Sequence, residues 1–456
     1  MKLNEQKYTL DNSDSLIRRF LLISFVGVLL SYVGYQFDPK FIHSYLVCYL
    51  FFTTLTLGGL FFVLAHHIFG ADWSVSIRRF GENLMVILPL MLFLSIPIVL
   101  NFDHLYEWTD PLTKEVGKDH SLKLDSNDHD LEVDLPNEDS HKHIAAHDAD
   151  HAHHGKLEDS HKADHNGHHH SSNFWEYHPT MTSKSSYLNK DFFFARMIFY
   201  FVVWFLLISR LYRLSLNQES KEDKIKMRRT SALGVALFAI TGSFFAFDAI
   251  MSLDPTWYST MFGVYIFAGS FLAAIAFILL VSLYLRSKGI FVDEVNNKHY
   301  MNLGKIAFSF TVFWAYIGGF QYYIIWYGNI PEEINWFLQR WEGPWKYISY
   351  ALIFGHFVIP FIVLIFYRLK RNKAVLTVLG TLILGMHWLD MYWLVMPNYF
   401  RVEGKDVLSL LSWTDFSLIL AMGGLFMAIY WRLFKTVPIA AINDEDYNQS
   451  ISNEES

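Results

Sequence analysis

The chain has 456 residues, of which 52% are hydrophobic and only 18% charged, and its mean hydropathy is positive. A soluble domain carries about 25% charged residues, so this composition cannot coat a water-facing surface of that size and points to a membrane protein. The balance of 37 Lys and Arg against 44 Asp and Glu gives no basic field for a nucleic-acid partner, and the single cysteine, Cys48, excludes an internal disulfide framework, a Cys-x-x-Cys-His haem site and a cysteine-ligated iron–sulfur cluster.

A helix crossing about 30 Å of hydrocarbon needs roughly 20 mostly apolar residues. Ten stretches meet this, and they define an all-α integral membrane protein: Phe20–Gln36, His43–Phe69, Asn83–Leu100, Phe192–Leu216, Thr230–Leu253, Thr260–Leu285, Leu303–Tyr327, Trp345–Tyr367, Val375–Met396 and Ser412–Phe434. The chain thus divides into an N-terminal segment (1–19), spans 1 to 3 (20–100), a long loop (101–191), spans 4 to 10 (192–434) and a tail (435–456). No signal peptide is expected, because the first apolar run begins after 19 residues and no small-residue cleavage site follows it.

An even number of spans puts both termini on one face. The segments on that face, with the helix ends beside them, hold 23 Lys and Arg, whereas the short loops on the other face hold 5. Basic residues are retained on the cytoplasmic side, so both termini are expected in the cytoplasm, and the long loop faces outward. That loop contains 15 of the 21 histidines, including the runs His151 to His154 and His165 to His170. Its core, 114–172, is rich in Asp, Glu, His and Ser with almost no aromatics, and is expected to be disordered. Loose zinc or copper buffering is conceivable there, but a solvated low-complexity insertion is the simpler reading, since no histidine pair lies on a predicted helix that would fix ligand geometry.

Ionisable groups at bilayer depth are costly enough that each marks a candidate functional site. Asp248 lies near the outer end of span 5, His356 near the middle of span 8, and His387 with Asp390 in the middle and outer half of span 9, while His66 and His67 close span 2 on the cytoplasmic side. His387 and Asp390 are three residues apart on one helical face, within reach of each other or of a shared water. They form either a relay pair that titrates near neutral pH or a polar pair that fixes helix packing. His356 and His387 fall at similar depth on consecutive spans, the placement a bis-histidine haem requires, but their neighbours Phe357 and Trp388 are bulky where a haem edge wants small residues.

Asp248 precedes Pro255 by seven residues, with Trp257 and Tyr258 beyond; Asp390 precedes Pro397 by seven, with Tyr399 and Phe400 beyond. Both prolines are expected to stop their helices. The echo, four spans apart, suggests a duplicated four-helix unit, spans 2 to 5 and 6 to 9, flanked by spans 1 and 10. Trp257, Tyr258, Trp341, Trp345, Tyr399 and Phe400 at the outward ends read as an interfacial aromatic belt. The run Phe320 to Tyr327 is denser in polar-tipped aromatics than a belt requires. It reads first as core packing, and second as the lining of a pocket for a ring-shaped ligand.

Three segments carry a family resemblance: Phe247 to Ser270 (FDAIMSLDPTWYSTMFGVYIFAGS), Leu303 to Glu333 (LGKIAFSFTVFWAYIGGFQYYIIWYGNIPEE) and Met386 to Pro397 (MHWLDMYWLVMP). They resemble the ActF-type subunit of alternative complex III, in the NrfD/PsrC-like integral membrane family, and with the ten-span plan the resemblance covers roughly Phe20 to Phe434. It implies paired four-helix bundles with extra helices outside, in a bacterial inner-membrane complex that oxidises a quinol. It implies further that haem c and iron–sulfur clusters sit on partner subunits: an NrfD-like sister subunit, an iron–sulfur subunit and multihaem and monohaem cytochromes c, with a terminal oxidase as a further partner.

On this reading the chain binds no metal or redox centre of its own, a quinol site is open, and Asp248, His356, His387 and Asp390 form a proton relay. Two other classes remain: a secondary transporter for a metal ion, suggested by the His-rich loop and by His387 with Asp390, and a scaffold whose buried polar groups serve packing only.

Overall fold

A computed structural model describes residues 2–4, 9–11, 13–109, 179–403 and 411–452. Most of the His-rich loop, including the segment expected to be disordered, lies outside the described residues. Ten helices are long and apolar enough to cross a membrane, and each coincides with an expected span: α1 (Asp14–Phe37), α2 (Phe41–Phe69), α3 (Arg78–Leu100), α4 (Lys190–Leu216), α5 (Lys221–Leu253), α6 (Phe262–Ser287), α7 (Asn297–Gly328), α8 (Trp345–Ile365), α9 (Lys373–Phe400) and α10 (Trp413–Thr436). The chain is a multi-pass, all-helical membrane protein. One small addition is a two-stranded antiparallel ribbon, Lys2–Asn4 with Thr9–Asp11, which seats the buried Leu10 against α10.

Neighbouring helices close two rings. In the first, α2 touches α3, α3 touches α4, α4 touches α5 and α5 returns to α2; in the second, α6, α7, α8 and α9 do the same. The rings join where α2 meets α6 and α9, and where α5 meets α6. Small residues permit the central crossing. A side-chain carbon at Gly58 of α2 would lie 2.2 Å from the Ser270 carbonyl oxygen of α6, so only hydrogen lets the backbones meet this closely. As a result α2 and α6 are almost wholly enclosed by protein, whereas α1 presents its outer face to lipid and packs chiefly on α10.

Proline shapes two of the helices. In α3, Pro89 and Pro97 each open a new short helical run, Leu88–Leu94 and Ile96–Leu100, because proline suits a first turn where its missing N–H is not needed. In α8 the segment Leu352–Val358 widens into a π-helix just before Pro360 and carries His356. Such bulges recur at functional positions in membrane and soluble proteins alike.

Pro397 departs from expectation. The helix runs through it to Glu403 instead of stopping, whereas α5 does end before its proline, closing through a short 3-10 turn at Met251–Leu253. The reason is Arg340. Pro397 leaves the Trp393 carbonyl, four residues earlier, without its helical donor, and Arg340 Nε donates to that oxygen at 3.2 Å while Nη2 donates to the Leu394 carbonyl at 3.1 Å. Arg340 is fully buried on the short helix Pro331–Trp341, its guanidinium 3.4 Å from the centre of the Trp336 ring.

The third span also begins five residues earlier than its hydropathy suggests, drawing Arg78, Arg79 and Glu82 inside. They are tolerated because they satisfy one another. Arg79 Nη1 and Ser215 Oγ donate to Glu82, each at 2.6 Å, and Arg78 Nη1 donates to Asp444 at 2.6 Å. The segment after α10 thereby folds back over the end of the bundle, where Ser450 also bonds Ser76 at 2.6 Å.

Candidate functional site

The structure draws three of the four candidate residues into one buried cluster inside the second ring. Asp390 of α9 is 1% exposed, and His356 of α8 and His387 of α9 are fully enclosed. Asp390 does not bond His387. Its carboxylate instead accepts from Tyr265 of α6 at 2.5 Å on Oδ1 and from the Trp314 indole of α7 at 3.2 Å on Oδ2. Both donors are neutral, and no cation is bonded to Asp390 among the described residues.

Trp314 links the two halves of the cluster. Its ring centre lies 4.2 Å from that of His356, tilted by 36°, and His356 in turn is 6.5 Å from His387. His387 Nε2 lies 2.9 Å from Thr54 Oγ1 of α2, and the Thr54 hydroxyl donates to the Leu50 carbonyl at 2.8 Å. With the Thr54 proton on the Leu50 carbonyl, its oxygen accepts from Nε2–H in the tautomer whose open nitrogen is Nδ1 of His387. That nitrogen faces Gly269 of α6, where an added carbon would sit 3.2 Å away. Neither His387 Nδ1 nor either ring nitrogen of His356 has a hydrogen-bond partner among the described residues. Buried polar atoms are rarely left unpaired, so these three positions suit water or a mobile proton carrier.

Asp248 stands apart, in the first ring. Arg196 of α4 grips it with two bonds of 2.9 Å, from Nε to Oδ2 and from Nη2 to Oδ1, and Tyr200 adds a third at 2.8 Å. The two aspartates that looked equivalent in sequence therefore have different chemistry: one is neutralised by a bidentate counter-ion and the other is held by an indole and a phenol.

A cavity of about 450 Å³ abuts the cluster. Tyr265 and Trp314 form part of its wall, and the short helix Pro331–Trp341 contributes Trp336, Phe337 and Trp341. The lining is almost entirely apolar and aromatic. Gln321 supplies a buried amide oxygen that is unpartnered among the described residues. From the aromatic run in α7, Gln321 and Tyr322 line the cavity, whereas Phe320, Tyr323, Trp326 and Tyr327 are about half exposed or more and face outward. The expected aromatic belt is likewise only partial. Trp257, Trp345 and Tyr399 are buried, with Trp257 stacked on Trp336 at 4.2 Å, while Tyr258 is exposed. The short helix covers Trp257, while Trp345 packs on Tyr392 and Phe400, and Tyr399 on His43 and Phe400.

His66 and His67 belong to the separate ion cluster at the end of the bundle that carries the termini. There His66 Nδ1 is 2.7 Å from Ser74 Oγ. Among the described residues no group of three or more His, Cys, Asp or Glu is placed to hold a metal ion.

The residues the sequence did not single out are Tyr265, Trp314, Thr54, Arg196 and Arg340. Arg196 alone carried a usable signal, a full charge at the fifth residue of an apolar span. No known family pattern matches the chain, and no characterised protein is significantly similar to it.

Proposed function

We propose that this chain is an integral membrane subunit of a quinol-oxidising respiratory complex of the alternative complex III type, that it holds no redox centre of its own, and that it supplies a route for protons. The observation that carries the reading is Asp390: a carboxyl enclosed at bilayer depth, held among the described residues by neutral donors instead of a counter-ion, and near two imidazoles whose nitrogens include three without a partner among those residues. A carboxylate locked to arginine, as Asp248 is, serves as a fixed charge. One held by a phenol and an indole can take up and release a proton, which is the requirement for a relay.

Electrons would travel on partner subunits that carry haem c and iron–sulfur clusters, since a chain with one cysteine offers neither kind of site. The aromatic cavity beside Tyr265 suits the ring of a lipid-soluble quinol. The retention of basic residues on the terminus side supports a bacterial inner-membrane orientation with both termini in the cytoplasm.

Replacing Asp390 with Asn in the intact complex tests the route. The amide keeps the shape but carries no exchangeable acid proton. The number of protons moved per electron should fall while quinol oxidation continues, and an unchanged ratio would remove Asp390 from the path.

A further inference from the structure

A hydrophobic groove of about 380 Å³ runs along the outer side of the α4–α5 pair and ends in two arginines. Leu206 and Leu207 of α4 face Leu233 and Leu237 of α5 across it, and Leu206 and Leu233 are 61% and 63% exposed, so no protein element closes the groove. At its mouth stand Arg210 and Arg229. Arg210 lies six residues before the end of α4 at Leu216, and Arg229 eight residues after the start of α5 at Lys221. At 1.5 Å per residue both sit roughly 9 to 12 Å below their helix ends, on the side of the bundle that carries the termini.

The charges there are unmatched. The buried Arg78, Arg79 and Arg196 meet Asp444, Glu82 and Asp248, and the buried Arg340 donates to backbone carbonyls, whereas Arg210 and Arg229 are exposed. Arg210 has one bond, from Nε to Thr230 Oγ1 at 3.0 Å, which fixes its guanidinium at the groove mouth. Its terminal nitrogens, and all of Arg229, have no carboxylate partner among the described residues, and no acidic side chain lines the groove.

Two exposed guanidiniums at the membrane edge, beside an open apolar groove, suit an anion, and the anion that resides at that level of a membrane is a lipid phosphate. We propose that the α4–α5 groove binds an anionic phospholipid, with its phosphate between Arg210 and Arg229 and one acyl chain along the four leucines. A headgroup without an ammonium is favoured, because an ammonium would meet two guanidiniums.

The test uses the full-length chain, purified in mild detergent and stripped of lipid, then titrated by native mass spectrometry with phosphatidylglycerol, phosphatidylethanolamine or inorganic phosphate. Phosphatidylglycerol should bind at least about tenfold more tightly than phosphatidylethanolamine, and inorganic phosphate should not bind, since the acyl chain supplies part of the affinity. The double variant R210Q/R229Q should lose the preference between the two lipids, and L233W, which fills the groove, should weaken both. If the double variant does not fold, T230V, which unties Arg210 without removing charge, should narrow the preference. Equal binding of the two lipids to the native chain, binding of phosphate alone as strongly as lipid, or an unaltered preference in the variants would each overturn the assignment.

Discussion

Removing the guanidinium of Arg196 should be among the most damaging single changes to stability in this protein. The Asp248 side chain is wholly buried and that of Arg196 is 9% exposed, and the two oxygens of Asp248 receive bonds of 2.9, 2.9 and 2.8 Å. In Arg196→Met two of those three donors vanish and the carboxylate stays inside with Tyr200 alone. Breaking a buried pair from one side costs about 3–5 kcal/mol, chiefly because the remaining charge is left uncompensated. Contacts of the guanidinium with the Tyr187 and Phe192 rings, at 3.8 and 4.4 Å, are lost as well. At about 1.4 kcal/mol per tenfold, the unfolding equilibrium should shift by about two to three and a half orders of magnitude. The double variant Arg196→Met/Asp248→Leu removes both charges and should recover most of the loss. Denaturation in bicelles, read through a double-mutant cycle, measures each quantity. A cost for Arg196→Met below about 1 kcal/mol, or a double variant no more stable than the single, would show that the pair is hydrated and would refute the contrast drawn with Asp390.

Three further outcomes are expected. In Gly27→Val, the new carbon would start 2.3 Å from the Ala421 backbone nitrogen, an overpacking that costs about 1–3 kcal/mol; the Ser31→Cys/Ser417→Cys pair, whose hydroxyl oxygens lie 3.1 Å apart, should cross-link in the native background and lose most of that yield with Gly27→Val, and an undiminished yield would count against tight docking of α1 on α10. An impermeant thiol reagent should label Glu445→Cys from one side of the membrane and Glu342→Cys from the other, with the fully buried Cys48 silent; labelling of both from one side would overturn the ten-span topology. The Lys190 ammonium, bonded to Asp103 at 2.8 and 2.9 Å, holds that carboxyl below its ordinary value. A depressed carboxyl contributes stability above its unfolded pKa of about 4 that is lost as pH falls through the folded value. Both side chains are half exposed, so Asp103→Asn should cost under about 1 kcal/mol at neutral pH and less still in acid, and a large or pH-independent cost would show another role.

The spans were legible because membrane crossing imposes a length and a hydropathy that ten segments meet without competition. Asp248, His356, His387 and Asp390 were legible for the opposite reason, as polar exceptions to those segments. Their partners were not. Tyr265, Trp314 and Thr54 are ordinary residues in apolar helices, and only the meeting of α2, α6, α7 and α9 turns them into ligands of a carboxylate and an imidazole. The likeness of Asp248 to Asp390 misled for the same reason: spacing to a proline is a property of one helix, whereas Arg196 arrives from another. Pro397 failed as a stop signal because the group that replaces its missing donor, Arg340, is 57 residues away in sequence.

The docking of α1 on α10 has a consequence for biogenesis. α1 leaves the ribosome well before its principal mate, α10, so Gly27, Gly34 and the serines beside them stay bare in the lipid until α10 has been made. The arrival of α10 then works as a clasp: a polypeptide cut short before it would expose an unmated seam of small residues, a mark by which quality-control proteases could tell the truncated product from the clasped one.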